Sequence, residues 1–195
     1  MNIRLCVFCV VLACGLAADL GMTAGKEAPD LAVRNMSGEA VKLSAYKQKK
    51  NVVLLTAPEK VTATDWGNAS RRLTALDTVV LFNEGPAATT LIDQAGMVRR
   101  VESGRALNGA ELEGFVAVWQ SGKAAFGAYC GPCHGADGGD VWCDPNPLIG
   151  VSQRLSEQQI RDALHMYPIN GKIMIRGQMY EPADIEAIIV FLRGL

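Results

Sequence analysis

The stretch Cys130-Gly131-Pro132-Cys133-His134 gathers two of the chain's six cysteines and one of its two histidines. Two thiols separated by two residues can close into a disulfide and, as thiolates, exchange it with other proteins. A histidine directly after the second cysteine opens another chemistry. Both thiols can add to the vinyl groups of a haem as thioethers, while the adjacent imidazole turns onto the iron from one side. The first reading makes Cys130 and Cys133 the dithiol of a thiol-disulfide oxidoreductase. The second makes them the covalent anchors of one haem c, with His134 as the proximal ligand.

The elements that must position these residues favour the second reading. In the thioredoxin family, whose dithiol the letters Cys-Gly-Pro-Cys resemble, the dithiol follows a buried strand, whereas this pentapeptide follows "SGKAAFGAY", which is helix-like. Gly122, Phe126 and Cys130 fall four apart, on one face of that helix. Downstream, Ser156 and Gln159 make a capping box and Leu155 with Ile160 a hydrophobic staple, so a helix is expected to begin near Glu157. In "YEPADIEAIIVFLRGL" the residues Ile185, Ile188, Ile189 and Leu192 form one apolar stripe, and Pro182 suits a first helical turn. From Val41 to Val118 the pattern differs: short β-branched runs alternate with helical ones, predicting strands, a helix, three more strands and a closing helix. After Gln120 the pattern predicts helices joined by Gly- and Pro-rich loops, with no strand. The shift in composition places a domain boundary near Trp119 to Gly122.

Composition narrows the function classes. An apolar content of 49% over 195 residues excludes a disordered polymer and suffices for two small domains. A net charge of -1 leaves no electrostatic footprint for nucleic acid, and the run Lys47-Gln48-Lys49-Lys50 is too short to make one. Residues 1–18 have the layout of a secretory signal: one Arg, an apolar stretch from Leu5 to Ala13, then small residues up to Ala18. Cleavage there yields an exported, periplasmic protein. The alternative cut is before Cys14, because "VLAC" resembles a lipoprotein box, and lipidation of Cys14 would hold the chain at a membrane. Past the signal three cysteines remain, Cys130, Cys133 and Cys143, an odd number that argues against a plain disulfide framework.

"GKEAPDLAVRNMSGEAVKLSAYKQKKNVVLL" and "TTLIDQAGMVRRVESG" resemble the thioredoxin-like superfamily in its exported peroxiredoxin or thiol-disulfide oxidoreductase branch. The resemblance implies an α/β domain over residues 19–119. Two departures imply that this domain is non-catalytic. The family's reactive cysteine follows the strand corresponding to "NVVLLT", yet "APEKVTATDWGNASRR" contains none. The family's cis-proline position is Ala88, and a non-proline cis bond costs about 2.5–4 kcal/mol. The connection "NEGPAA" is short, so it is expected to cross the end of the sheet where the lost active site would lie.

"GKAAFGAYCGPCHGADGGD" resembles the opening of a class I c-type cytochrome, and the helices after it continue that resemblance over residues 120–195. The implied architecture is an all-α cytochrome c domain following the thioredoxin-like one. The implied function is an electron carrier rather than an enzyme, meeting redox partner proteins transiently, with the front domain as a docking or packing module. The resemblance also implies a Pro147 carbonyl accepting the His134 Nδ1–H, and a distal ligand in a Gly-x-x-Met-Pro segment. Gly171 and Met174 fit that segment, with Ile175 where the proline belongs; Met179 is the alternative, followed by Met166 and His165. An open distal site would instead suit a haem sensor or peroxidase. Cys143 has no counterpart in the family and is expected either to pack near Trp142 or to remain an exposed thiol.

Overall fold

The computed structural model describes residues 20–57, 67–139, 147–164, 166–175 and 177–195. The expected signal with Cys14, the Trp142-Cys143 loop and His165 lie outside the described residues. The first half is built on a six-stranded mixed sheet. Its strands are β1 (Ala32–Arg34), β2 (Ala40–Lys42), β3 (Asn51–Ala57), β4 (Thr78–Glu84), β5 (Ala88–Ile92) and β6 (Val98–Ser103), in the order β2-β1-β4-β3-β5-β6. β4 runs parallel to the central β3, and β5 antiparallel to it. Helix α1 (Gly67–Ala75) makes the crossover between β3 and β4. This is a thioredoxin-like α/β arrangement, and it places each strand and helix that the alternating pattern predicts.

Every residue of β3 is buried, because the strand is covered on both faces. Val53 and Leu55 join the larger apolar cluster, while Val52 and Leu54 join a smaller one with Val33, Leu81, Ile92 and Val98. The connection from β4 to β5 crosses the end of β3 as expected. Gly85 N–H donates to the Ala57 carbonyl at 3.1 Å, and a Cβ on Gly85 would stand 3.0 Å from the Thr56 methyl. The connection therefore lies directly on the end of the strand.

Helix α2 (Gly109–Tyr129) starts at a capping box, with Asn108 as N-cap and Glu111 answering it. It then runs for 21 residues straight through the boundary expected between residues 119 and 120. The change in composition there marks a change of packing partner. Leu112, Phe115 and Val116 share the larger cluster with the sheet residues Val53, Leu55 and Leu91, and Gln120 Nε2 donates to the Leu76 carbonyl after α1. Farther along, Gly122 and Phe126 face α6 (Pro182–Leu192). No residue between Val118 and Lys123 breaks the helix, since Gly122 is used where two backbones meet.

The second half adds α3 (Gly131–His134), α4 (Val151–Arg154) and α5 (Glu157–Ala163), the last capped by Ser156 and Gln159 as expected. An all-α second domain is not what forms. β7 (Tyr167–Ile169), β8 (Lys172–Ile175) and β9 (Gln178–Tyr180) make an antiparallel meander. Asn170 and Gly171, with φ of 50° and 77°, form the two-residue turn between β7 and β8, which suits the twist of a hairpin. Pro168 sits on the edge strand β7 opposite Ile173, at a position where the ladder needs no N–H. No described helix is long and apolar enough to cross a membrane.

Charged side chains tie the halves together and brace the second one. The Arg99 guanidinium bonds Asp93 at 2.7 Å and the Gly194 carbonyl at 3.0 Å, joining β6 to the residues after α6. Arg161 on α5 bridges Glu157 and Glu186, holding both carboxyls below the usual range through its hydrogen bonds.

The α2–α6 crossing yields a paired prediction. A Cβ at Gly122 would lie 1.9 Å from the Ala187 carbonyl oxygen, whereas one at Gly127 meets nothing within 4 Å. Gly122→Ala is expected to destabilise the fold by about 3 kcal/mol, and Gly127→Ala to stabilise it by about 0.5–1 kcal/mol; urea unfolding of both variants checks the contrast. Arg161→Ala is expected to cost less than about 1 kcal/mol at neutral pH, because its carboxylate partners are well exposed. That cost is present above the ordinary carboxyl pKa and is lost as pH falls through the depressed folded values; unfolding curves at neutral and acid pH read it.

Candidate functional site

The Cys-x-x-Cys-His pentapeptide forms one helical turn at the carboxyl end of α2. Cys130 N–H donates to the Phe126 carbonyl at 2.7 Å, closing α2. The Cys130 carbonyl then accepts from Cys133 at 3.1 Å and from His134 at 3.0 Å. Gly135, with φ of 72°, ends the turn at a positive φ that suits a residue without a Cβ. Cys130, Cys133 and His134 thus occupy the first, fourth and fifth positions of a single turn, and all three are half-buried. Neither cysteine is in a disulfide. Among the described residues, no group of three or more His, Cys, Asp or Glu side chains converges to hold a bare metal ion.

The position of this turn bears on its chemistry. The carboxyl end of a long helix carries unpaired carbonyls and the negative end of the macrodipole, so it disfavours added negative charge. A nucleophilic thiolate is favoured at the opposite end of a helix. Neutral thiols and neutral thioethers are both compatible with that end.

The His134 Nδ1 is buried without a hydrogen-bond partner among the described residues. The Pro147 carbonyl, which the sequence resemblance assigns to it, instead accepts from Arg154 Nη2 at 2.5 Å. The loop after His134 is nonetheless closely packed. Gly138 accepts from Leu148 N–H at 2.9 Å, and a Cβ on Gly138 would meet the Leu195 side chain at 2.8 Å. An iron bond at the other ring nitrogen would fix the proton on Nδ1, and that N–H would then call for an acceptor that no described residue supplies.

The methionines fall into two environments. Met166 packs against the larger apolar cluster, the ordinary use of a methionine. Met174 on β8 and Met179 on β9 are directly opposite each other, so they share one face of the meander. Ile173, Ile175 and Tyr180 occupy the other face and join the larger cluster. Met174 is half-buried and Met179 is 45% exposed.

Tyr180 is a residue that sequence reasoning missed. It is 8% exposed, and its ring meets Tyr129 edge-on at 4.9 Å, immediately before Cys130. Burial pushes its hydroxyl pKa up, and the nearness of Cys130 and Tyr129 adds to the shift. It therefore brings β9 against the cysteine turn. The signal was available in the alternation of "GQMY" once a strand is recognised there.

Solved structures similar to this chain are peroxiredoxins, and the likeness spans about half of it. The reduced 2-Cys peroxiredoxin of Plasmodium vivax is 16% identical with a TM-score of 0.41, over 50% of this chain and 96% of that one. The mitochondrial 2-Cys peroxiredoxin from Plasmodium falciparum is 12% identical with a TM-score of 0.38, over 49% of this chain and 92% of that one. Thioredoxin peroxidase I of Plasmodium yoelii is 15% identical with a TM-score of 0.38, over 52% of this chain and 93% of that one. Likeness at this level transfers no activity or site. No family model matches the chain, and no curated protein matches it.

The unsatisfied Nδ1 can be tested directly. In protein produced without haem, His134→Leu is expected to raise stability by about 1 kcal/mol, because an apolar side chain replaces a buried polar atom that makes no bond to any described residue. A loss of stability in urea unfolding would mean that the imidazole already has a partner.

Proposed function

We propose that the protein is an exported carrier of single electrons that holds one haem c covalently through Cys130 and Cys133, with His134 on the iron. The observation that carries this reading is the cysteine-histidine turn itself: both thiols and the imidazole on one turn, at a helix end that disfavours a thiolate. On this reading the His134 imidazole, half-buried on the same turn as the two thiols, is one axial ligand, and the thioether of Met174, or alternatively of Met179, is the other. Haem bound there would supply an Fe(II)/Fe(III) couple, taking an electron from one redox protein and giving it to another.

The chain's own part is to hold and to shield. α2 and α6 fix the turn, the loop from Gly135 to Gly139 packs under Leu148 and Leu195, and Tyr129 with Tyr180 covers the Cys130 side. The thioredoxin-like half lacks a cysteine at the family's reactive position, and the Gly85 connection lies across the end of β3. Its role on this reading is to dock partners or to support the haem-binding half. The periplasm is the compartment that suits both the leader in residues 1–18 and haem attachment, whether the chain is released there or anchored through Cys14. A dithiol oxidoreductase is disfavoured because the dithiol sits at the wrong end of its helix.

Expression in a host competent for haem c maturation, followed by a pyridine haemochrome spectrum of the denatured protein, tests the reading. The expected spectrum is that of a haem with two thioether links; Cys130→Ala or Cys133→Ala shifts it to the single-link form, and the double variant retains no haem through denaturation. A wild-type protein with no covalent haem and two titratable thiols at these positions would reverse the assignment in favour of thiol-disulfide exchange.

A further inference from the structure

We infer that the two thiols of the cysteine turn are unequal in the haem-free protein: Cys133 is the one that reacts with soft electrophiles such as a small disulfide, and Cys130 is withheld from them by Tyr180. The inference stands on the packing of the turn and not on the haem reading. Cys130 packs against the larger apolar cluster, and Tyr180, 8% exposed, belongs to that cluster. Cys133, only three residues on, joins neither apolar cluster. The shield is a pair of rings. Tyr129, immediately before Cys130, is 47% exposed and meets Tyr180 edge-on, with ring centroids 4.9 Å apart. Tyr180 lies near enough to Cys130 for the thiol to bear on its hydroxyl, which donates to Gln178 Oε1 at 2.9 Å.

Moving that shield disturbs the core. β9, which carries Tyr180, is laddered to β8, whose Ile173 and Ile175 pack against the same cluster. The Cys130 backbone is pinned as well: its N–H donates to the Phe126 carbonyl, and its carbonyl accepts from Cys133 and His134. Cys130 therefore cannot swing outward without opening the end of α2. Both thiols lie at the same helix end, and residues three apart on a helix have Cβ atoms about 5–6 Å apart, so the field of α2 slows both alike. Packing then sets their order, because a thiol reacts only where an electrophile can approach it. When Cys133 meets a small disulfide, its sulfur forms a new S–S bond as the old one breaks. The thiol proton goes to solvent, and one half of the reagent leaves as a thiolate.

The test is time-resolved alkylation of the full-length protein, produced without haem and kept reduced, with limiting iodoacetamide and mass-spectrometric mapping of each cysteine. Cys133 is expected to be alkylated several-fold faster than Cys130. Tyr180→Phe, which retains the ring and removes the hydroxyl, is expected to keep the wild-type ratio. Tyr180→Ala is expected to speed Cys130 several-fold and to leave Cys133 largely unchanged. Tyr129→Ala removes the exposed ring of the pair and is expected to speed Cys130 alone, which keeps the inference open to refutation if Tyr180→Ala does not fold. Equal rates in the wild-type protein, or a faster Cys130, overturn the inference. An unchanged ratio in folded Tyr180→Ala overturns the role of Tyr180, and so does an unchanged ratio in Tyr129→Ala where Tyr180→Ala is unfolded. Each of these outcomes leaves the covalent-haem reading to the haemochrome spectrum, so the two stand or fall separately.

Discussion

The crossing of α2 and α6 at Gly122 is the constraint on which the rest of the molecule depends. Packed helices ordinarily keep their axes about 8–10 Å apart, spaced by side chains. Here the backbone of α6 at Ala187 occupies the space a Cβ on Gly122 would fill, and Phe191 stands behind it. That close approach brings Trp119, Phe126 and Phe191 into one aromatic group, with ring centroids 6.0 and 5.0 Å apart. The same group belongs to the apolar cluster that includes the central strand of the sheet. One glycine therefore couples the covering of the sheet to the placement of the cysteine turn.

Because α2 serves both halves, the chemistry at its carboxyl end inherits the electrostatics of a long helix. Carbonyl groups at that end repel a thiolate but tolerate thioethers and favour a cationic or metal-bearing neighbour. The short α3 continues the chain's helical path and does not supply a competing amino-terminal field of any length. On the proposed reading, the end of the helix that a Cys-Gly-Pro-Cys sequence occupies bears on its chemistry, and here the sequence lies at the carboxyl end with His134 after it.

Much of this was legible in the residues. β3 stands out as a continuous β-branched and aliphatic run, α5 begins at the Ser156–Gln159 capping box, and α6 follows the stripe from Ile185 to Leu192. Two features were obscured. The composition shift around Trp119 resembles a domain boundary, although the helix continues: a change in what a helix packs against alters the side chains without altering the backbone. The meander was hidden by a run of apolar residues that fits either a loop within a helical domain or a strand. The Asn170-Gly171 dipeptide was the deciding signal, since a two-residue turn with both residues at positive φ specifies a hairpin. Recognition of that turn also sets the register that pairs Tyr167 with Met174, information that residue spacing alone does not contain.

The length of α2 has a consequence for traffic through the molecule. Its 21 residues make a rod about 30 Å long, from the Asn108 cap beside the sheet to the turn at Cys130. Electron transfer weakens exponentially with separation, so a protein seated at the Asn108 end of that rod would be too remote to exchange electrons with a centre at the other. On the proposed reading the thioredoxin-like half then acts as a handle: it can choose, tether or orient a partner, while the current itself must enter and leave near Tyr129.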